Sequence, residues 1–254
     1  MFVASLQSGS NGNCIYVEAA GARLLFDAGI SGKQAELRME AIGRDIRDVD
    51  AVIVSHDHRD HCACAGIYQR KFGLPVRMTG PTREAADARC GLGKVDVREF
   101  TAGRTMRFGK VIVDTIPTPH DATDGVAFVV KAERKRLGIL TDLGHVFDDL
   151  RDAMAKLDAV VLESNYDPGM LERGWYPEHL KARVRGPGGH ISNLEAARLL
   201  KAETGPSLRW VCLAHLSEEN NHPRVALRTH RKVLGPDLEI HVASRHEPVV
   251  MPEF

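Results

Sequence analysis

The sequence SHDHRDH at residues 55–61 follows an apolar run and precedes a segment with helical periodicity. It carries ligand-type side chains at His56, His58, Asp60 and His61. Imidazole and carboxylate groups bind zinc and similar divalent ions. Because four such groups packed into six positions cannot all reach one tetrahedral ion without strain, they suit two neighbouring ions. The spacing predicts that His56 and His58 face one ion and that Asp60 and His61 face the other.

Five predicted strands run directly into an ionisable residue, and these residues are His56, His120, Asp142, Glu163 and His215. Strand ends in sheet folds place side chains rigidly around a shared crevice. His120, Asp142 and His215 therefore complete the coordination of the two ions in this prediction. The two oxygens of Asp142 allow that carboxylate to bridge both ions, which a histidine cannot do.

Short β-branched runs alternate with Gly turns or with helix-patterned segments along the whole chain. The predicted strands are Phe2–Leu6, Cys14–Glu18, Arg23–Asp27, Ala51–Ser55, Val76–Thr79, Val111–Ile116, Gly125–Val130, Arg136–Thr141, Ala159–Leu162, Arg209–Leu213 and Glu239–Ala243. The predicted helices are Lys33–Ile42, Ala63–Lys71, Arg83–Arg89, Phe147–Lys156, Asn193–Glu203 and Arg224–Leu234. This order of elements indicates an α/β (α+β) fold of two mixed sheets with outer helices, forming one domain over residues 1–254.

The composition limits the classes of function. Hydrophobic residues make up 43% of the 254 residues, and 34 basic side chains balance 34 acidic ones. A formal net charge of zero excludes strong overall attraction to nucleic acid, although a local basic face remains possible. The chain has no apolar run of membrane-spanning length and no signal-peptide pattern at its start, so we expect a cytoplasmic protein without membrane partners.

Several motifs together resemble the metallo-β-lactamase superfamily, whose fold is an αββα four-layer sandwich. Besides the His-x-His-x-Asp-His loop, the segments that carry the resemblance are SGSNGN at 8–13, LFDAGIS at 25–31, GHISN at 189–193 and HLSEENN at 215–221. Within the superfamily the sequence is most similar to the WalJ/YycJ-type exonucleases, a branch whose motifs resemble those of tRNA 3′-end nucleases. The resemblance spans essentially the whole chain.

The resemblance implies a ligand set and a reaction. The first ion is implied on His56, His58 and His120, the second on Asp60, His61 and His215, and Asp142 is implied as the shared ligand. The implied activity is a 5′-to-3′ DNA exonuclease that uses a metal-bridging hydroxide, which Asp60 could orient. Two ions of this kind stabilise the attacking and leaving oxygens of a phosphodiester. The ligand types accept either Zn²⁺ or Mn²⁺.

Glu163 and His190 distinguish phosphodiester cleavage from ester or lactam hydrolysis. A leaving alkoxide needs a proton, which a histidine held by a carboxylate can donate near neutral pH. The resemblance to tRNA-processing nucleases implies this pairing. Ser192 and Glu195 form a predicted capping box, so His190 is expected just before a helix N-terminus, where free N–H groups attract phosphate.

Residues 165–189 are rich in Gly, Pro and basic side chains, and the sequence predicts a long functional loop there. Lys181, Arg183 and Arg185 are the candidate contacts to a nucleic-acid backbone. The aromatic rings of Tyr166, Trp175 and Tyr176 are candidates for stacking on bases. A solvated charged loop with the aromatics folded beneath it explains the same composition equally well.

Other functions compatible with the motifs are a cyclic phosphodiesterase, an RNA-processing nuclease, a thioesterase of the glyoxalase II type, or a metal-binding regulatory module without turnover. A thioesterase would leave Glu163 and His190 unexplained and would need a C-terminal helical domain. A regulatory module would be expected to have lost some ligands. The sequence leaves open DNA or RNA as the substrate, the end polarity and the oligomeric state.

Overall fold

The computed structural model describes residues 1–254. Its strands are β1 (Phe2–Gln7), β2 (Cys14–Ala19), β3 (Ala22–Phe26), β4 (Ala51–Ile53), β5 (Val76–Thr79), β6 (Val97–Phe100), β7 (Thr105–Phe108), β8 (Val111–Pro117), β9 (Val126–Ala132), β10 (Lys135–Leu140), β11 (Ala159–Glu163), β12 (Trp210–Ala214), β13 (Glu239–Val242) and β14 (Val249–Val250). Its helices are α1 (Gly32–Ala41), α2 (Arg59–Cys62), α3 (Ala65–Phe72), α4 (Gly80–Cys90), α5 (Asp148–Met154), α6 (Pro168–Arg173), α7 (Glu178–Arg185), α8 (Asn193–Glu203) and α9 (Pro223–Leu234), with a 3₁₀ turn at Ile46–Asp48.

The strands form two seven-stranded mixed sheets. The first has the order β14-β1-β2-β3-β4-β5-β6 and the second the order β13-β12-β11-β10-β9-β8-β7. Strands β3 to β6 are parallel in the first sheet, as are β10 to β13 in the second. The remaining neighbours are antiparallel, and β14 returns to the first sheet by pairing Ala4 with Val250.

Three apolar clusters hold the layers together. The central cluster lies between the sheets and includes Phe26 and Phe128, whose ring centroids are 5.0 Å apart. A second cluster joins the first sheet to helices α1, α3 and α4, and a third joins the second sheet to α5, α8 and α9. Buried residues alternate with partly buried ones along β8, whereas every residue of β11 is buried. These patterns match a strand covered mainly on one face and a strand covered on both faces. The predicted αββα sandwich is the observed architecture.

Every predicted strand and helix has a counterpart in the structure; the bounds of Val76–Thr79 and Asn193–Glu203 are the same, and the other elements have shifted ends. The sequence missed three strands, which are β6, β7 and β14. They lie at the edges of the sheets, where burial is slight and alternation is weak. Edge strands are often short and charged, which hides them from a pattern of apolar residues.

The interpretation of residues 165–189 as a long loop is wrong, because helices α6 and α7 occupy most of it. Asp167 caps α6 by accepting a 2.9 Å hydrogen bond from the backbone N–H of Met170, and Pro168 occupies the first helical turn. Pro177 precedes α7 directly. Proline at a helix start is favoured since its missing N–H has no partner there in any case. Pro168 and Pro177 therefore mark helix starts, although proline is also common in loops.

The parallel strand directions bring the functional residues to one end of the sandwich. The loops that follow β4, β8, β10 and β12, together with the end of β11, all leave the sheets there. This arrangement follows the rule that α/β folds bind ligands at the carboxyl ends of parallel strands. No helix in the structure is both long and apolar enough to span a membrane.

Candidate metal centre

The first group of ligand-type atoms belongs to His56, His58 and His120, whose donor atoms lie within 4.8 Å of one another. The Nδ1 of His120 lies 2.8 Å from the carbonyl oxygen of Gly189 and donates to it, which leaves Nε2 free to face the other rings. That Nε2 atom is 3.3 Å from Nδ1 of His58. The Nδ1 of His56 is similarly occupied by the Ser55 hydroxyl at 2.9 Å. Hydrogen bonds of this kind select the tautomer that presents a lone pair to an ion.

The second group contains Asp60, His61 and His215, again with donor atoms within 4.8 Å of one another. Oδ2 of Asp60 lies 3.5 Å from Nε2 of His61 and 3.3 Å from Nε2 of His215. Asp60 lies in helix α2, which begins one residue after His58. His61 also forms a group with His56 and Asp142, so the two groups adjoin each other. The assignment of His56 and His58 to one ion and of Asp60 and His61 to the other stays a prediction.

Asp142 lies between the two groups. Its Oδ2 is 3.3 Å from Nε2 of His61, and its Oδ1 is 3.5 Å from Nε2 of His215 and 3.7 Å from Nε2 of His120. Asp142 and His215 both follow a strand with a left-handed backbone, at φ values of 56° and 53°. Such a conformation costs roughly 1–3 kcal/mol in a non-glycine residue and occurs preferentially at functional sites.

The side chains present fit divalent metal ions. His56 Nε2 and Asp142 Oδ2 are buried and have no hydrogen-bond partner. Unpartnered buried polar atoms are rare, and a metal ion would give these two atoms a partner. Burial and the neighbouring ring of His61 hold the pKa of His56 well below its ordinary value. Burial alone would raise the pKa of Asp142, but the surrounding imidazoles hold that pKa well below its ordinary value. A neutral imidazole and an ionised carboxylate are the states that bind metals.

Asp27 supports the loop at residues 55–61 through hydrogen bonds, and it is not among the predicted functional residues. His61 donates a 2.7 Å hydrogen bond from Nδ1 to Oδ2 of Asp27, while Oδ1 accepts a 2.7 Å bond from the backbone N–H of Ser55. Asp27 follows strand β3 with a φ of 67°. The sequence did contain a signal, because Asp27 also ends a predicted strand, as His56 and Asp142 do. Asn165, whose side chain contacts Nδ1 and the carbonyl oxygen of His215, was missed as well.

Glu163 and His190 come together across the end of β11. Nδ1 of His190 lies 2.6 Å from Oε1 of Glu163, and Oε2 of that carboxylate accepts a 3.0 Å bond from the backbone N–H of Leu143. Burial by itself would lower the pKa of His190, but the charge and hydrogen bond of Glu163 raise it above the ordinary value. The predicted capping box of Ser192 and Glu195 is confirmed, so His190 stands two residues before the N-cap of α8.

A cavity of about 380 Å³ opens over these groups. Its lining includes His58, Asp60, Asp142, His190 and His215, together with Ser10, Arg59, Arg89, Asp121, Asn165, Tyr176, Leu180, Arg183, Val184, Gly189 and Ser217. Five of the predicted metal-ligating and catalytic residues therefore face this opening, whereas His56, His61, His120 and Glu163 are buried and do not line it.

The three basic residues predicted to contact substrate lie in different environments. Arg183 lines the cavity and donates a 2.6 Å hydrogen bond from Nε to Asp121. Lys181 is buried instead, and its ammonium donates to the carbonyl oxygen of Glu172, so it does not reach the cavity. Arg185 pairs with the Glu172 carboxylate at 3.2 Å outside the cavity. Residues two positions apart on a helix point in different directions, so Arg183 faces the cavity while Lys181 and Arg185 do not.

Comparison with known proteins identifies the class. The model of the beta-lactamase superfamily domain matches residues 22–208, so the chain belongs to that superfamily. The YhfI protein of Bacillus subtilis, a metallo-beta-lactamase fold protein, superimposes with a TM-score of 0.74 at 17% identity and covers 98% of this chain and 99% of its own. The resemblance and the fold predicted from the sequence are confirmed, and so is the assignment to metal-dependent hydrolases.

Two curated relatives define the branch. The chain is 34% identical over 227 residues to the exodeoxyribonuclease WalJ of Streptococcus pneumoniae. The aligned region covers 88% of this chain and 84% of that protein. It is 33% identical over 244 residues to the exodeoxyribonuclease YycJ of Bacillus anthracis, with 93% and 92% covered. The predicted similarity to the WalJ/YycJ-type exonucleases is thus confirmed over most of the chain.

Proposed function

We propose that this protein is a dinuclear-metal DNA exonuclease that removes nucleotides from 5′ ends. The named activity of the WalJ and YycJ relatives supports exonuclease action on DNA. The contact of 2.6 Å between Glu163 and His190, directly beside the metal-ligand groups, carries the proposal. A phosphodiester releases an alkoxide that needs a proton, whereas a thioester releases a thiolate, a weak base that departs without one, so thioester hydrolysis gives no role to this pair.

The proposal assigns one ion to His56, His58 and His120 and the other to Asp60, His61 and His215. Asp142 contacts both groups and would be the shared ligand. Two divalent ions bound there would lower the pKa of a water molecule and neutralise the charge that grows on phosphorus. Zn²⁺ and Mn²⁺ both suit this mixture of imidazole and carboxylate ligands.

The protein's own side chains have distinct roles in this reaction. Asp60 lies at the cavity surface and would orient the attacking water through its carboxylate. His190 uses Nδ1 to contact Glu163, so Nε2 is the ring nitrogen left to donate a proton to the leaving oxygen. Glu163 is fully buried and fixed by the N–H of Leu143, so it holds the ring of His190 at a constant angle. Glu163 is therefore a positioning residue and His190 the proton donor.

Arg183 in helix α7 would contact the nucleic-acid backbone. Of the three basic residues predicted for this role, it alone lines the cavity. Trp175 is 74% exposed just before α7, and the adjacent Tyr176 lines the cavity. An exposed ring beside a cavity can stack on an unpaired base. A cytoplasmic location stays a prediction of the sequence.

The experiment that tests the proposal compares polymers and ends. Duplex DNA, single-stranded DNA and RNA, each labelled at the 5′ or the 3′ end, are incubated with the protein and either Zn²⁺ or Mn²⁺. We expect DNA labelled at the 5′ end to release labelled mononucleotide from the first turnover, while DNA labelled at the 3′ end shortens progressively. A double substitution of His56 and His58 to alanine is the control for contaminating nucleases.

Three outcomes would contradict the proposal or a part of it. Cleavage of RNA in preference to DNA would place the protein among RNA-processing nucleases and overturn the DNA assignment. Turnover of a thioester such as S-lactoylglutathione, with no cleavage of any polymer, would overturn the nuclease assignment. Metal analysis that finds one ion per chain would contradict the dinuclear part alone.

A further inference from the structure

Three guanidinium groups line the cavity, and they differ in whether a carboxylate neutralises them. Arg183 pairs with Asp121 at 2.6 Å, and Arg89 pairs with Asp57 at 2.7 Å. Arg59 also lines the cavity but has no carboxylate within 4.0 Å, and its one hydrogen bond runs from Nη1 to the carbonyl oxygen of Arg89 at 3.2 Å. Arg59 therefore brings the one uncompensated cation to a cavity whose other arginines are engaged.

The position of Arg59 in the chain places it against the reacting centre. It is the residue between His58 and Asp60, and these neighbours belong to the two different ligand groups. Its backbone is thus held by both sides of the centre, while its exposed side chain extends into the opening. The bond to the Arg89 carbonyl fixes one guanidinium nitrogen and leaves the remaining donors of the fork unpaired.

We propose that Arg59 binds the phosphate next to the scissile one in a polynucleotide, and so favours nucleic acid over small phosphodiesters. This inference rests on the proposed nuclease function. A guanidinium offers a planar fork that matches phosphate oxygens in pairs, and it stays charged at every working pH. In this proposal the scissile phosphate lies over Asp142 and the ligand groups. Arg59 lies beside the ligands His58 and Asp60 in the chain, so its guanidinium meets the neighbouring phosphate of the strand.

The charge balance of the site agrees with this assignment. Asp121 and Asp57 make their arginines poor partners for an incoming anion, because binding phosphate there would break an existing ion pair. Asp57 is fully buried, and removing Arg89 from it would leave a buried carboxylate short of a partner. Arg59 can bind phosphate without any such loss. A polyanion entering this cavity therefore meets its first free guanidinium at Arg59.

The test compares Arg59→Ala and Arg59→Lys with Arg228→Ala, which removes an exposed arginine of α9 that lies outside the cavity and has no ion pair. Each variant is assayed on single-stranded DNA and on bis(p-nitrophenyl) phosphate, which has no neighbouring phosphate. Arg59→Ala is expected to raise KM for DNA by about tenfold, the scale of one lost charged hydrogen bond. Turnover of the small diester stays within about twofold of wild type, because removing one exposed charge perturbs the metal-ligand groups little.

Salt dependence and partial rescue separate a phosphate contact from a structural role. Losing one phosphate contact lowers the slope of log KM against log salt by about 0.7 for a single strand. Arg59→Lys keeps the charge without the fork and is expected to fall between alanine and wild type. An unchanged KM for DNA in Arg59→Ala, or an equal loss on both substrates, overturns the inference. Failure of the wild type to cleave any polymer overturns the proposed function instead.

Discussion

Replacing His190 with alanine tests the proton-donor assignment, and the structure sets two separate magnitudes. A general acid contributes about 10²–10⁴ to the rate, so cleavage of DNA is expected to fall by that factor. The same change leaves Oε1 of the fully buried Glu163 without its partner. An unpaired buried acceptor costs about 1–3 kcal/mol, which lowers Tm by roughly 2–12 °C in a protein of this size.

His190→Asn separates these two effects. An asparagine amide can donate to Glu163 but cannot transfer a proton at neutral pH. We therefore expect His190→Asn to recover most of the Tm while losing as much DNA cleavage as His190→Ala. Thermal unfolding and metal content are measured beside the rates, so that a loss of ions is not taken for a loss of acid catalysis.

A change of leaving group supplies the decisive assay. Nitrophenolate is a weak base that departs without a proton, so an ester of thymidine phosphate with p-nitrophenol does not need the acid. Both His190 variants are expected to cleave this ester at close to the wild-type rate while failing on DNA. An equal loss on the ester and on DNA would refute the assignment and make His190 a structural or ligand residue. A wild-type rate on DNA would refute it as well.

Three further predictions follow from the surroundings of the site. Glu163 raises the pKa of His190, so DNA cleavage persists below that raised pKa and declines as pH rises through it. Glu163→Gln removes the carboxylate charge that raises this pKa, and we expect the decline to move to lower pH in a pH–rate profile. Asp27→Asn weakens the orientation of the imidazole that it holds, and we expect metal affinity to fall about 10–100-fold in a chelator titration. Gly29→Ala places a Cβ 1.7 Å from the carbonyl oxygen of Asp60, and the clash is expected to lower the free energy of unfolding by at least about 1–3 kcal/mol in denaturant titration. An unshifted pH profile, an unchanged metal affinity or an unchanged midpoint would contradict the respective argument.

Sequence patterns predicted the parts of the structure that depend on local order. The apolar runs of the central strands, the capping box at Ser192 and the clustering of ligand types at residues 55–61 all follow from neighbours in the chain. The errors lie where local composition is ambiguous. Residues 165–189 combine Gly, Pro and charges, which suit both a loop and two short helices, and the prolines at 168 and 177 mark the helix starts. Lys181 is a predicted contact to the nucleic-acid backbone because it is basic, but its side chain is buried and its ammonium donates to the carbonyl oxygen of Glu172.

The sequence by itself determined which side chains could bind ions and that they stand at strand ends. The spacing along residues 55–61 also led to the prediction that His56 and His58 face one ion and that Asp60 and His61 face the other. The tertiary structure decided which groups meet across distance. Asp27 contacts His61, 34 positions away in the chain, and no motif predicted that pairing. Glu163 contacts His190, 27 positions away, and only the resemblance to tRNA-processing nucleases implied that pairing. Sheet order and strand direction determine which distant residues meet. Both depend on burying all three apolar clusters together, which a short stretch of sequence does not reveal.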